Sequence, residues 1–354
     1  MAPAETTIIK VRYLMVIVLL LALVFLFLPH ETRAEAAHSL APVQMQVQKG
    51  DQVMIRGFQG SVEYQVSEAS NVIRVEVAED ASKTSEKYKD EWQFSFKREG
   101  SEVQVRIEGP ASKQVWAEVL AEKNQPEFFI KVTGPSLPVH INWNEGKIEI
   151  HNLLNSLNVT SIKSDVIVSK GQGDLSVTNQ EGSVIVRDRK GQVKVDSYLA
   201  KVRIENVEGK IDLQNFTGES RVENVTGDVH FNTFKGASHL TSVKGRIEFK
   251  NGIAPLRIEK FEGELRGRSG QGAVYADVRG VADVRVESAE GAVNLKMNSS
   301  GAWVNLGTAE GTLAVPGFLK LTRLSSQQIR SGRLRGSSGG SVFVRTTSGD
   351  IRLR

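Results

Sequence analysis

The residues best placed to do chemistry are charged ones that recur at a spacing of 18. Arg203, Arg221, His239 and Arg257 form one series, and Glu205, Glu223, Thr241 and Glu259 follow two positions behind. If the chain winds so that residues 18 apart stack on neighbouring strands, each series becomes a column with a step of about 4.8 Å. The cationic column could then grip an anionic polymer or an acidic partner. The simpler reading is an ion-pair lattice on a solvated face, where each exposed pair contributes at most about 1 kcal/mol.

A second basic concentration lies near the C-terminus. Lys320, Arg323, Arg330, Arg333, Arg335, Arg345, Arg352 and Arg354 face the single Asp350, a local excess of +7 in a chain of formal charge +4. This segment could contact anionic lipid, lipopolysaccharide or cell-wall polymer, or could simply solubilise a terminal cap. It lacks the aromatic interleaving of a nucleic-acid surface, so no nucleic acid is expected.

Other chemistries find weaker support. His230 and His239 are nine apart, a spacing that a two-strand coil sends to opposite sides, and His38, His140 and His151 share no ligand spacing. With no cysteine either, neither metal nor cofactor is expected. Asp196/Glu205 and Glu287/Glu290 could be imagined as glycosidase carboxylates, but that mechanism needs two carboxyls flanking a bond in a cleft. Sugar clefts usually add exposed aromatic platforms, whereas aromatics here make up 6% of the chain and most Phe fall at inward positions. No Gly-x-Ser-x-Gly elbow is present, and Gly267–Gly272 reads as strand corners rather than a phosphate loop. The expectation is a protein that is not an enzyme.

The elements that must position these columns follow from a glycine grid. Glycine stands every nine residues at Gly173, Gly182, Gly191, Gly209, Gly218, Gly227, Gly236, Gly245, Gly263 and Gly272, with alanine at the two missing slots, Ala200 and Ala254. Two and four positions after most slots comes an aliphatic or aromatic residue, for example Val193 and Val195, or Ile247 and Phe249. That alternation puts one face of a short strand inward. A third apolar position, seven after the slot (Val207, Phe216, Val225, Phe234, Val243, Phe261), is expected to point inward as well, after a corner. A fixed period whose units cannot bury their apolar face alone implies stacking. The predicted fold is all-β: a parallel β-solenoid of nine-residue strand repeats with two repeats per coil, preceded by a small antiparallel β cap. An antiparallel meander is the structural rival.

At the N-terminus, Lys10 and Arg12 precede an apolar run of 16 residues, Tyr13 to Leu28, and then Ala34-Glu35-Ala36. This reads as a secretory signal peptide over 1–36, cleaved after Ala36, with an uncleaved anchor as the alternative. Residues 37–144 are strand-rich but off the grid and read as a β-sandwich-like cap with strands at Val53–Arg56, Val103–Ile107 and Val115–Leu120 among others. Gly134-Pro135-Ser136-Leu137-Pro138 reads as the joint. The solenoid is assigned to 145–315 and a basic capping segment to 316–354, whose last repeat, from Ser341 to Leu353, is expected to close the far end.

Phe129 to Val139, Gly146-Lys147-Ile148-Glu149-Ile150, the Asn-aliphatic-x-Gly units Asn206–Gly209 and Asn224–Gly227, and Thr347 to Leu353 together resemble the bacterial putative-adhesin family of exported β-solenoids. The resemblance covers most of the chain after about residue 40. It implies an envelope or surface protein with no catalytic residues to carry over. The expected function is non-enzymatic, adhesin-like binding at the cell envelope or surface, in the periplasm or outside, to a polysaccharide, other envelope polymer or protein. A periplasmic scaffold or stress-signalling partner is the alternative, and a polysaccharide-active enzyme a third reading.

Overall fold

A computed structural model describes residues 38–67, 71–80, 82, 86–122, 125–280, 282–298, 301–324, 327–334 and 339–354. The proposed signal peptide lies outside the described residues, as does Arg335. Among the described residues no helix is long and apolar enough to cross a membrane.

From Val139 to Ser269, strands pair in parallel with those 18 residues before and after them. Val193 pairs with Leu175 on one side and Ile211 on the other, and Val202 with Val184 and Ser220. Two alternating sets of strands therefore stack into two opposed walls, with one coil per 18 residues. Inward residues such as Val195, Leu213, Phe231 and Ile204, Val222, Leu240 fill the space between the walls and are almost fully buried. Parallel pairing from Val139 to Ser269 excludes the antiparallel meander for this stretch.

The corners explain the glycines, and they are of two kinds. At one corner Gly227 has φ 141°, preceded by Asn224 in the left-handed region at φ 55°. Asn tolerates that region best among residues with a side chain, and Asn224 Nδ2 donates to Asn206 Oδ1 at 3.0 Å to tie adjacent coils. At the other corner Gly236 needs no positive φ. A Cβ there would sit 1.8 Å from the Gly218 carbonyl oxygen of the coil below, so only glycine allows the approach.

The N-terminal region departs from the expected antiparallel sandwich. Gln52–Val66 is itself a coil strand, parallel to Val139–His151 on one side and to Glu102–Arg106 and Phe128–Gly134 on the other. Antiparallel pairing begins only outside it, where Gln93–Glu99 joins Glu102–Glu108 and Val72–Asp80 joins Glu127–Gly134. The strand Val139–Leu153 runs through the boundary expected at residue 144. The prolines do not break the ladder because their carbonyls still accept, Pro138 from the Val53 N–H at 2.9 Å and Pro135 from the buried Tyr64 hydroxyl at 2.8 Å. Val115–Leu120, expected as a strand, belongs to the helix Lys113–Glu122. Trp116 from this helix packs edge-on against Trp92, which with Phe58 and Phe128 covers the end of the core.

The far end also differs from expectation. Ser341–Thr346 pairs in parallel with Asp283–Ser288 on one side and Trp303–Thr308 on the other. Ile351–Leu353 likewise pairs with Val293–Leu295, and Ile351 and Arg352 also pair with Leu313 and Ala314. The last repeat is thus an inserted layer, and the coil of residues 303–314 stacks beyond it. The far end is closed by the antiparallel strand Gln327–Arg333, which pairs with Trp303–Thr308 and with Lys320–Leu324.

Candidate functional site

A groove of about 800 Å³ runs along one corner of the stack over successive coils. It is organised by side chains that end one wall. Ser197, Asn215, Thr233 and Asn251 turn inward and are buried. Asn215 Nδ2 donates to the Ala200 and Gly218 carbonyls at 3.0 and 2.8 Å, and Asn251 Nδ2 to the Ala254 carbonyl at 2.7 Å. These bonds satisfy corner carbonyls that no strand reaches. The residue after each buried polar group then points outward, and in three consecutive coils it is aromatic: Tyr198, Phe216 and Phe234, 53, 41 and 41% exposed.

Their rings stack at 4.9 Å with planes 6° apart and at 5.0 Å with planes 22° apart. The coil pitch sets this spacing, and backbone bonds from Phe216 N to Ser197 O and from Lys235 N to Phe216 O lock the corners that carry the rings. The next two positions of the column are Gly252 and Gly270. Beside the aromatic column runs an outward column of Thr178, Asp196, Gln214, Asn232, Lys250 and Arg268. The site therefore combines a rigid apolar ladder, a line of amides, and positive charge at one end.

Phe216 and Phe234, expected to point inward, point outward for a definite reason. With two corners per coil, the seventh position after each slot alternates between them. Val207, Val225, Val243 and Phe261 lie at one corner and are buried, whereas Phe216 and Phe234 lie at the other and are exposed. Separating the series by 18 rather than 9 resolves it into a Val column and an aromatic column that also includes Tyr198.

The cationic series does form a column: Arg203, Arg221, His239 and Arg257 are successive register partners on the opposite wall. Each is engaged by a carboxylate. Arg203 Nε bonds Glu205 at 2.5 Å and Arg257 Nε bonds Glu259 at 2.6 Å, Arg221 pairs with Glu223, and His239 Nε2 lies 3.2 Å from Glu259. Partial burial pushes the Glu259 carboxyl up, but the Arg257 and His239 hydrogen bonds outweigh it and hold the group below the usual carboxylate range.

The remaining candidates are not brought together. Asp196 and Glu205 stand on opposite walls. Glu287 accepts from Arg285 and Arg268, while Glu290 accepts from Gln271 at a corner. His230 lies beside Glu248, and His151 Nδ1 is 2.7 Å from the Ser169 hydroxyl. Among the described residues no group of three or more His, Cys, Asp or Glu is arranged to hold a metal.

The basic C-terminal residues are also dispersed. Arg345 donates to the Asn305 carbonyl and side chain and stacks 4.2 Å from the Phe343 ring centroid. Arg330 donates to the Leu319 carbonyl and Arg333 to the Gly301 carbonyl. Arg352 and Arg354 are exposed at the inserted layer, and Arg323 lies in the strand Lys320–Leu324. Three of these arginines thus serve the closure of the far end.

The sequence profile of the Toastrack DUF4097 family matches residues 42–252. The chain belongs to that family. The Toastrack match takes in the first coil, the cationic column up to His239 and the whole aromatic ladder, and stops at Gly252. No curated protein matches the chain. Among solved structures, a putative cell adhesion protein from Clostridium sporogenes is 12% identical, with 88% of this chain and 98% of that one covered at a TM-score of 0.23. A putative adhesin from Parabacteroides merdae is 12% identical, covering 73% and 96% at a TM-score of 0.36. A putative lipid binding protein from Parabacteroides distasonis is 11% identical, covering 73% and 96% at a TM-score of 0.30.

Proposed function

We propose that this Toastrack protein is an exported, non-enzymatic binding protein of the cell envelope or cell surface, adhesin-like in that a rigid solenoid wall presents its ligand site. The observation that carries this reading is the outward ladder of Tyr198, Phe216 and Phe234 in an open groove. Leaving large apolar rings in water side by side is costly to solubility, and contiguous exposed apolar surface marks an interaction site. The rings are already ordered by the coil pitch, so association spends little conformational entropy on them. Export rests on the basic-then-apolar N-terminus with its Ala34-Glu35-Ala36 segment.

Deleting the gene should reduce attachment of cells to surfaces, and the purified chain should bind isolated envelope material. Protease shaving of intact and permeabilised cells, read with an antibody to the solenoid, checks the location. Unchanged attachment together with a cytoplasmic location would overturn the reading.

A further inference from the structure

The aromatic ladder stops at Phe234, short of the groove's end, and leaves a gap floored by Gly252 and Gly270. Phe234 stacks on Phe216 with one ring face. Toward the next coil its Cδ2 rests on Gly252, where a Cβ would stand only 2.5 Å away, and Gly270 continues the column without a side chain. Three cations stand at this end of the ladder. Lys235 Nζ lies 5.9 Å from the Phe234 ring centroid, and Lys250 and Arg268 line the adjoining column. Arg268 shares a carboxylate of Glu287 at 3.1 Å and is 78% exposed at its side chain.

We propose that this gap is a subsite for one carboxylate-bearing ring of an acidic glycan. The ring continues the stack on Phe234 above Gly252, and its carboxylate meets Lys250 and Arg268. This deepens the proposed function and rests on it.

Two observations favour a glycan over other polymers. Main-chain donors and acceptors in the groove wall are already paired between coils, from Val229↔Ile247 to Thr233↔Asn251, so a peptide gains no strand addition there. Positive charge is confined to the Gly252 end, while Asp196, Gln214 and Asn232 flank the ladder, so a nucleic-acid strand with a phosphate at every unit would meet amides and a carboxylate instead. A polyhydroxyl chain with an apolar ring face uses both the ring surface and the amides.

The test is calorimetric titration of the purified chain with an oligogalacturonate, its carboxyl-reduced neutral counterpart and a single-stranded oligonucleotide. The expected result is binding of the oligogalacturonate that weakens with salt. Phe234→Ala and Lys250→Gln should each weaken it about ten-fold, and Arg221→Gln on the opposite wall should leave it unchanged. Both groove side chains are exposed, so the variants should fold, which circular dichroism verifies. Equal binding of the neutral sugar, tighter binding of the oligonucleotide, or indifference to Phe234→Ala would each overturn the subsite. Retained binding to isolated envelopes without oligogalacturonate binding would sink the subsite alone, and loss of both would sink the envelope-binding reading as well.

Discussion

Ser341 donates its backbone N–H and its hydroxyl to the same oxygen of Asp283, at 2.9 and 2.7 Å, across 58 residues of chain. The pair starts the register that seats the C-terminal repeat between two earlier coils. Removing residues 341–354 should therefore leave Trp303–Thr308 and Asp283–Ser288 without their shared neighbour. Hydrogen exchange should then show loss of protection in both strands, and the melting temperature should fall. Asp283→Ala should cost about 1–2 kcal/mol and raise exchange first at Ser341.

Phe249 and Gly267 are direct register partners, and the bulk of one occupies the space left by the other: a Cβ on Gly267 would stand 2.3 Å from Phe249 Cδ1. Phe249→Ala should destabilise by about 3–5 kcal/mol through a cavity. Gly267→Val should destabilise comparably through overlap, and Phe249→Ala combined with Gly267→Val should recover part of the loss. Chemical denaturation of the three variants gives the coupling.

Arg189 is buried in a column that runs Leu153, Gly171, Arg189, Val207, Val225 and Val243, and it donates to the Gln172 and Gly173 carbonyls at 3.0 and 3.1 Å. Burial depresses its pKa. Arg189→Ala removes packing and leaves those carbonyls without a donor, a loss of about 2–4 kcal/mol. Arg189→Met restores volume only, so its position between wild type and alanine in urea melts separates packing from hydrogen bonding.

Asp350 accepts from the Thr312 N–H and hydroxyl, which hold its carboxyl below the usual range. A depressed folded pKa means stability that is complete above the unfolded pKa and lost as pH falls through the folded one. Thermal melts should be flat near neutrality and decline on acidification below the ordinary carboxylate range. Asp350→Asn keeps an acceptor oxygen without titrating, and should shallow the acid limb.

The cationic column makes a contrasting case. Arg221 is exposed, and its Glu223 partner raises its pKa by hydrogen bonding. Arg221→Gln should leave envelope attachment as it was and change the melting temperature little, since solvent screens an exposed pair.

The legible part of the sequence is the local part. Val193-Lys194-Val195 encodes a strand face, and Gly227 and Asn224 encode a corner, because alternation and backbone handedness are properties of a few neighbouring residues. The helix Lys113–Glu122 reads as a strand because Val115, Trp116, Val119 and Leu120 suit strands by type, yet Val119 is buried one helical turn from Trp116. The aromatic ladder is hidden by a nine-residue grid that merges two corners. The inserted layer leaves no local trace: Ser341–Val344 has the same alternation as any other strand, and nothing nearby distinguishes a terminal coil from an interior one.

That layer separates the order of synthesis from the order of assembly. A chain growing from its N-terminus completes Trp303–Thr308 well before Ser341 exists, so that coil lacks the surface on which it stacks until Ser341–Thr346 arrives. Closing that long loop carries an entropic cost met only when this segment docks, and the nascent chain up to then holds open strand edges that invite pairing with other chains. Insertion of Ser341 to Leu353 is thus the event that joins the coil of residues 303–314 to the stack.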